Sequence, residues 1–269
     1  HVLFNDTALA IQVPYPQEHS PISSQTTSTA QSAGWIWDIG LPTRRGIGYV
    51  YSSAHTSDAA AEQVLHQYVG QSDGASARKL TFKPGYRRQF WHRNCVGIGL
   101  SAGFIEPLEA SALALVELSA AMLSDDMPAT RAVMEIVARR FNEAFTYRWE
   151  RVIDFLKLHY VLSRRTDSDY WRDNRAAPER LDELLTLWRH RPPSRTDFGR
   201  IDEVFPSASY QYVLYGMGFR TEHGAGKGHP EQVDAYFREA AALTARMLGA
   251  LPANRELIDH IKRHGLPTI

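Results

Sequence analysis

The sequence predicts an α+β chain: a β-rich first half built on a mixed or antiparallel sheet, followed by a mostly helical second half. Three observations carry this. Large apolar residues alternate at a period of two around a turn between residues 34 and 52. After Pro107 the apolar spacing becomes helical and stays so almost to the last residue. No Pro-, Gly- or Ser-rich linker divides the two parts. Residues 1–107 are therefore expected to form the β-rich part and 108–269 the helical part, as one continuous structural unit.

The elements follow in order. Residues 2–4 and 8–13 read as short strands, with Pro14 and Pro16 ending the second because proline cannot continue a ladder. Residues 17–33 are polar and suit a surface loop or an edge strand. The stretches 34–42 and 43–52 form a hairpin across a Pro/Arg/Gly turn. A helix follows, capped by Thr56 or Ser57, with Ala61, Val64, Leu65 and Tyr68 on one face. Residues 80–82, 86–91 and 95–100 read as a strand meander with Pro84-Gly85 as a turn. Residues 108–124 suggest a buried helix, and Pro128 suits the first residue of another that runs to Arg164. Further helices are predicted near 178–189, 208–216, 230–248 and 253–264.

Composition narrows the function classes. Thirty basic and thirty acidic residues cancel, so no global charge draws the 269-residue chain to nucleic acid or an anionic membrane. No run reaches the roughly 18 apolar residues of a spanning helix, and no signal-peptide pattern opens the sequence. A single cysteine, Cys95, excludes an internal disulfide framework and fits a reducing, cytoplasmic setting. No metal is expected: His223 and His229 flank Gly226-Lys227-Gly228 without a second ligand cluster.

Three pieces could carry chemistry. Gly97-Ile98-Gly99-Leu100-Ser101-Ala102 matches G-x-G-x-x-[G/A] in form. The proline-bearing loop after it is wrong for a pyrophosphate turn. Small residues there allow either tight packing or close approach of a planar ligand, and the next helix start offers free N–H groups to an anion. Glu106 and Glu109 lie in that loop and first turn, where acids favour the helix dipole. Glu109, between apolar Leu108 and Ala110, could instead be a partly desolvated base or electrostatic partner. Trp35 and Trp37 share one strand face and suit either core packing or the wall of a cavity for a flat ring.

Together these pieces resemble the flavin-dependent tryptophan halogenase family. Gly34-Trp35-Ile36-Trp37-Asp38-Ile39 is similar to the family phrase G-W-x-W-x-I-P, with Gly40 where proline is usual. Gly99 through Ser111 is similar to the loop G-L-A-A-G-F-L-E-P-L-E-S-T. His159-Tyr160, the run from Arg165 to Trp171 and the run from Ser209 to Gly218 resemble further family segments in the same order. The resemblance covers essentially the whole chain and implies a flavin-monooxygenase-like fold.

What it implies is specific. In the family, FADH2, oxygen and chloride or bromide yield hypohalous acid, which passes through a tunnel to a lysine and halogenates an electron-rich aromatic ring such as indole. Glu109 matches the glutamate that polarises the halogenating species or stabilises the ring cation. Ser111 and Ala112 match the residues that hold halide by backbone amides, where relatives usually carry Thr-Gly. Leu100, Ala102, Gly103 and Leu113 match the cofactor wall. Trp35 and Trp37 match the pair that keeps substrate from the flavin, and Phe104, Glu106, Pro107, Tyr210 and Tyr212 fall in the tunnel and substrate region. Ala110 replaces a serine that helps couple the two sites. The family's glycine-rich nucleotide fingerprint and catalytic lysine have no counterpart here, since neither Lys79 nor Lys83 has the matching context. The sequence is accordingly expected to be the C-terminal portion of a halogenase that by itself neither holds FAD tightly nor halogenates. A separate flavin reductase and a homodimer are the expected partners. An FAD-dependent aromatic monooxygenase, or a non-catalytic remnant that binds a partner, are the alternatives.

Overall fold

The computed structural model describes residues 2–70, 76–200, 202–222 and 230–266; the segment from His223 to His229 lies outside them. Strands β1 (Thr7–Pro14), β2 (Thr27–Gln31), β3 (Gly34–Gly40) and β4 (Arg44–Tyr51) are joined by β5 (Arg78–Thr81), which comes after helix α1 (Asp58–Val69). They form one sheet of order β2-β3-β4-β1-β5, with every pairing antiparallel. The polar stretch 17–33 thus ends as the edge strand β2.

Side-chain alternation splits the sheet between two cores. Leu9, Ile11, Ile36, Ile47, Tyr49 and Tyr51 pack on Ala61 and Leu65 of α1. Ala8, Trp35 and Val50, on the other face, join Phe141, Phe145, Trp149 and Val152 of the second half. Ser57 caps α1 by accepting from the Ala60 N–H at 3.3 Å.

Two expectations in this half are corrected. Residues 2–4 form no strand; Leu3 is buried in the core, and β1 already has partners on both edges. The region 80–100 is no meander. β5 pairs with β1, and what remains is two short ladders: β6 (Gly85–Tyr86) with β9 (Gly103–Phe104), and β7 (Trp91–His92) with β8 (Cys95–Val96). A helix side chain supplies what a neighbouring strand would have given. Asn142 Oδ1 accepts from the N–H groups of Phe90 and Trp91, each at 2.8 Å, and its amide donates to the Trp91 carbonyl at 2.9 Å.

In the second half, α2 (Ser111–Asp125) leads into α3 (Arg131–Leu162), the 32-residue spine of the molecule. Pro128 does not open α3; the chain first passes Thr130 in an extended conformation, and the helix begins at Arg131. From Val152 onward α3 is buried nearly all round. The short α4 (Asp169–Asp173), which no sequence signal predicted, then α5 (Glu179–Trp188) and α6 (Ser207–Gly216) wrap its later turns. Helices α7 (Pro230–Ala250) and α8 (Asn254–His264) follow. α8 returns to the first half, where Arg255 donates to the Ser20 and Pro42 carbonyls. Among the described residues no helix is long and apolar enough to cross a membrane, and no cluster of His, Cys, Asp and Glu could hold a metal ion.

Candidate functional site

A cavity of about 700 Å³ opens where the sheet, the loop before α2 and the middle of α3 meet. Each wall has a distinct source. Trp35 and Trp37 project from one face of β3, their rings edge to face at 6.2 Å. Phe145 and Trp149, one helical turn apart, face them from α3. The third wall is the loop from Gly97 through Ala110, continued by the first residues of α2.

Glycine at 48 lets Trp37 lie on the sheet. Gly48 is the register partner of Trp37 on β4, and a Cβ there would sit 2.0 Å from the indole. The G-x-G segment folds as a 3₁₀ turn, Gly99–Ser101, with Gly99 in the left-handed region at φ 62°. It is followed by β9 rather than by a helix, so it opens no βαβ unit. Its Leu100 and, on α2, Leu113 are 80% and 81% exposed. Two apolar side chains beside small Gly97, Gly99 and Ala102 make a surface on which a planar ring can lie.

Glu109 and Ala110 are both left-handed, at φ 63° and φ 49°. For residues with a Cβ this costs about 1–2 kcal/mol each. The two reversals stop the short 3₁₀ turn Leu108–Ala110 from merging with α2, which therefore starts at Ser111 rather than 108. With Ala110 at the N-cap, the start of α2 has no side-chain cap. Ser111 and Ala112, the first residues of α2, line the same hollow, and the N–H groups of a helix's first turn have no partner within the helix.

The two carboxylates of the loop are held in opposite ways. Glu106 is 2% exposed; Tyr160 donates to it at 2.6 Å and the Asn5 amide donates to its other oxygen. Tyr170 in turn donates to Asn5 at 3.0 Å. Burial pushes the Glu106 carboxyl up to about 7 against these bonds. Lys157, also 2% exposed, bonds Asn174 at 3.0 Å, and burial pulls its amine down to about 8. The Glu109 side chain is 36% exposed, and the hydrogen bond from His159 at 3.0 Å holds its carboxyl below the usual range.

The cavity gathers Trp35, Trp37, Leu100, Ala102, Gly103, Phe104, Glu106, Pro107, Glu109, Ser111, Ala112 and Leu113 from the residues singled out in the sequence. Tyr210 and Tyr212 do not line it. Tyr210 is 1% exposed and packs 4.8 Å from the rings of Phe155 and Phe198, while Tyr212 is 84% exposed. They sit on α6, where a spacing of two sends side chains to different faces. Phe145 and Trp149 were not singled out, and His159 only as part of a segment resembling the family, with no role in the site. Trp149 and Phe145 looked like ordinary helical core spacing, and His159 meets Glu109 only through the fold. The Trp35 indole N–H is buried without a partner among the described residues.

Comparison with known proteins gives a consistent picture. A family model described as tryptophan halogenase matches residues 1–229. Tryptophan 6-halogenase SttH of Streptomyces toxytricini is 33% identical over 258 residues, 94% of this chain and 49% of that protein. The crystal structure of a tryptophan halogenase from Shewanella frigidimarina superimposes with a TM-score of 0.95 at 48% identity, covering 100% of this chain and 53% of its own. Tar14, a tryptophan C-6 flavin-dependent halogenase (chlorinase) from taromycin biosynthesis, superimposes with a TM-score of 0.92 at 32% identity, covering 97% and 53%. The chain spans about half the length of the curated relatives it matches.

Proposed function

This chain belongs to the tryptophan halogenase family, and from that premise we propose that it builds the halide and aromatic-acceptor side of a flavin-dependent halogenase acting on an indole or similar electron-rich ring. The observation that carries the reading is one cavity lined by a carboxylate bonded to a histidine, an uncapped helix start and a paired-indole wall. FAD fits the residues present: exposed Leu100 and Leu113 beside Ala102 and Gly103 offer a flat apolar face. Bound as FADH2, it would supply, with oxygen and chloride or bromide, the hypohalous acid.

The remaining work falls to the chain's own groups. The amides of Ser111 and Ala112 bind the halide, as helix N-termini bind anions. Trp35, Trp37 and Phe104 hold the ring and keep it from the cofactor face. Glu109 stays anionic and stabilises positive charge as it grows on the ring. Glu106 and Pro107 line the passage beside it. Residues 1–107 and 108–269 act as one unit, because a single core draws on both. A separate reductase delivers the reduced flavin in the cytoplasm. The exposed apolar residues of α7, Tyr236 and Phe237 among them, offer a face for a homodimer.

The test is the reaction of the protein carrying this chain with reduced flavin, an indole and halide, read by mass spectrometry. A halogenated product that disappears without halide is expected. An oxygenated product formed without halide would favour the monooxygenase reading instead. Glu109→Gln should lower turnover by about 10²–10³-fold and leave flavin affinity unchanged; unchanged turnover would remove Glu109 from the chemistry.

A further inference from the structure

We infer that His159 is a positioning residue: it shares one proton with Glu109, keeping that carboxylate charged and fixed at the cavity wall. His159 Nδ1 lies 3.0 Å from the Phe155 carbonyl oxygen, and Nε2 lies 3.0 Å from Glu109 Oε1. A carbonyl oxygen only accepts, so Nδ1 carries a hydrogen. A neutral ring would then turn the Nε2 lone pair onto a carboxylate, setting two acceptors against each other at bonding distance. The contact therefore needs a second proton. With that proton on the ring, the bond is a charge-assisted pair.

The surroundings favour this assignment. Glu109 is held at φ 63°, and its bond to α3 spans the loop's left-handed reversal. The other charged groups near the pair are engaged elsewhere: Glu106 with Asn5 and Tyr160, and Lys157 with Asn174. His159 is the partner that lowers Glu109. Two successive residues of α3 thus hold the two carboxylates of one loop, His159 the charged one and Tyr160 the buried one. The inference rests on the halogenase reading only for what the carboxylate does in turnover; the pair itself stands on geometry.

The test uses the protein carrying this chain as wild type, His159→Gln and His159→Leu. The side-chain carboxyl of Glu109 is titrated by carbon-13 NMR and assigned with Glu109→Gln. In His159→Leu the midpoint should rise by about half a pH unit or more. In His159→Gln, which keeps an amide donor near the Nε2 position but no charge, it should rise less. An unmoved midpoint in both variants overturns the inference; if the leucine variant does not fold, an unmoved midpoint in the glutamine variant overturns it alone. In turnover, the acid limb of the kcat profile should move up by the same amount, with KM for the aromatic within about twofold. A fall in kcat with an unmoved acid limb overturns it as well. Failure of the wild type to halogenate anything would defeat the proposed function and leave the titration readable.

Discussion

Glu106 and Glu109 sit three residues apart on one loop, and their surroundings drive their acidities in opposite directions. Glu106 keeps its proton up to about pH 7, above its ordinary value of 4.5. Between those values the native state holds a proton that the unfolded chain has released, so stability falls as pH rises through that window. Glu106→Gln removes this dependence. Compared with the wild type, its stability should improve by about 1–3 kcal/mol on going from acid to mildly alkaline pH, read from urea midpoints at each pH. Leu113 sets the contrasting case. Because it is 81% exposed, Leu113→Asp should leave stability within about 0.5 kcal/mol while weakening flavin binding about tenfold, read by fluorescence titration. Leu113 and Glu109 were legible in the sequence because a local phrase places them. The partner of Glu109 was not, since His159 stands fifty residues away and meets it only through the rotation of α3.

Strands β3 and β4 show what was legible at the scale of elements. Their period-of-two pattern predicted a hairpin, and the register that pairs Trp37 with Gly48 follows from it. Gly48→Ala should push the indole off the cavity wall and destabilise the protein by about 1–3 kcal/mol, with a changed near-ultraviolet circular dichroism spectrum. Residues 86–96 misled because their aromatic content looks strand-like, whereas they pair only in two-residue ladders and the Phe90 and Trp91 N–H groups go to Asn142 of α3. Local pattern cannot show a partner that comes from a distant helix. Asn142→Ala strands two N–H groups and a carbonyl, and should cost about 2–4 kcal/mol by chemical denaturation. The α6 tyrosines misled differently: the resemblance put Tyr210 and Tyr212 in the substrate region, and the helix dealt one to the core and the other to solvent.

Across the whole molecule, the change from strand to helix was plain in the sequence, but the cavity was not, because its walls come from β3, one loop, α2 and α3. The long α3 makes that assembly possible, packing against the sheet near its middle and gripping the loop near its end. The alternation along β3 has a consequence of its own. Trp35 and Trp37 border the hollow, while Ile36 between them faces α1 in a separate core. The shape offered to an incoming ring can therefore be recut at two positions while the scaffold behind it stays intact. A lineage built on this strand could explore new acceptors by small steps, without risking its ability to fold at each one.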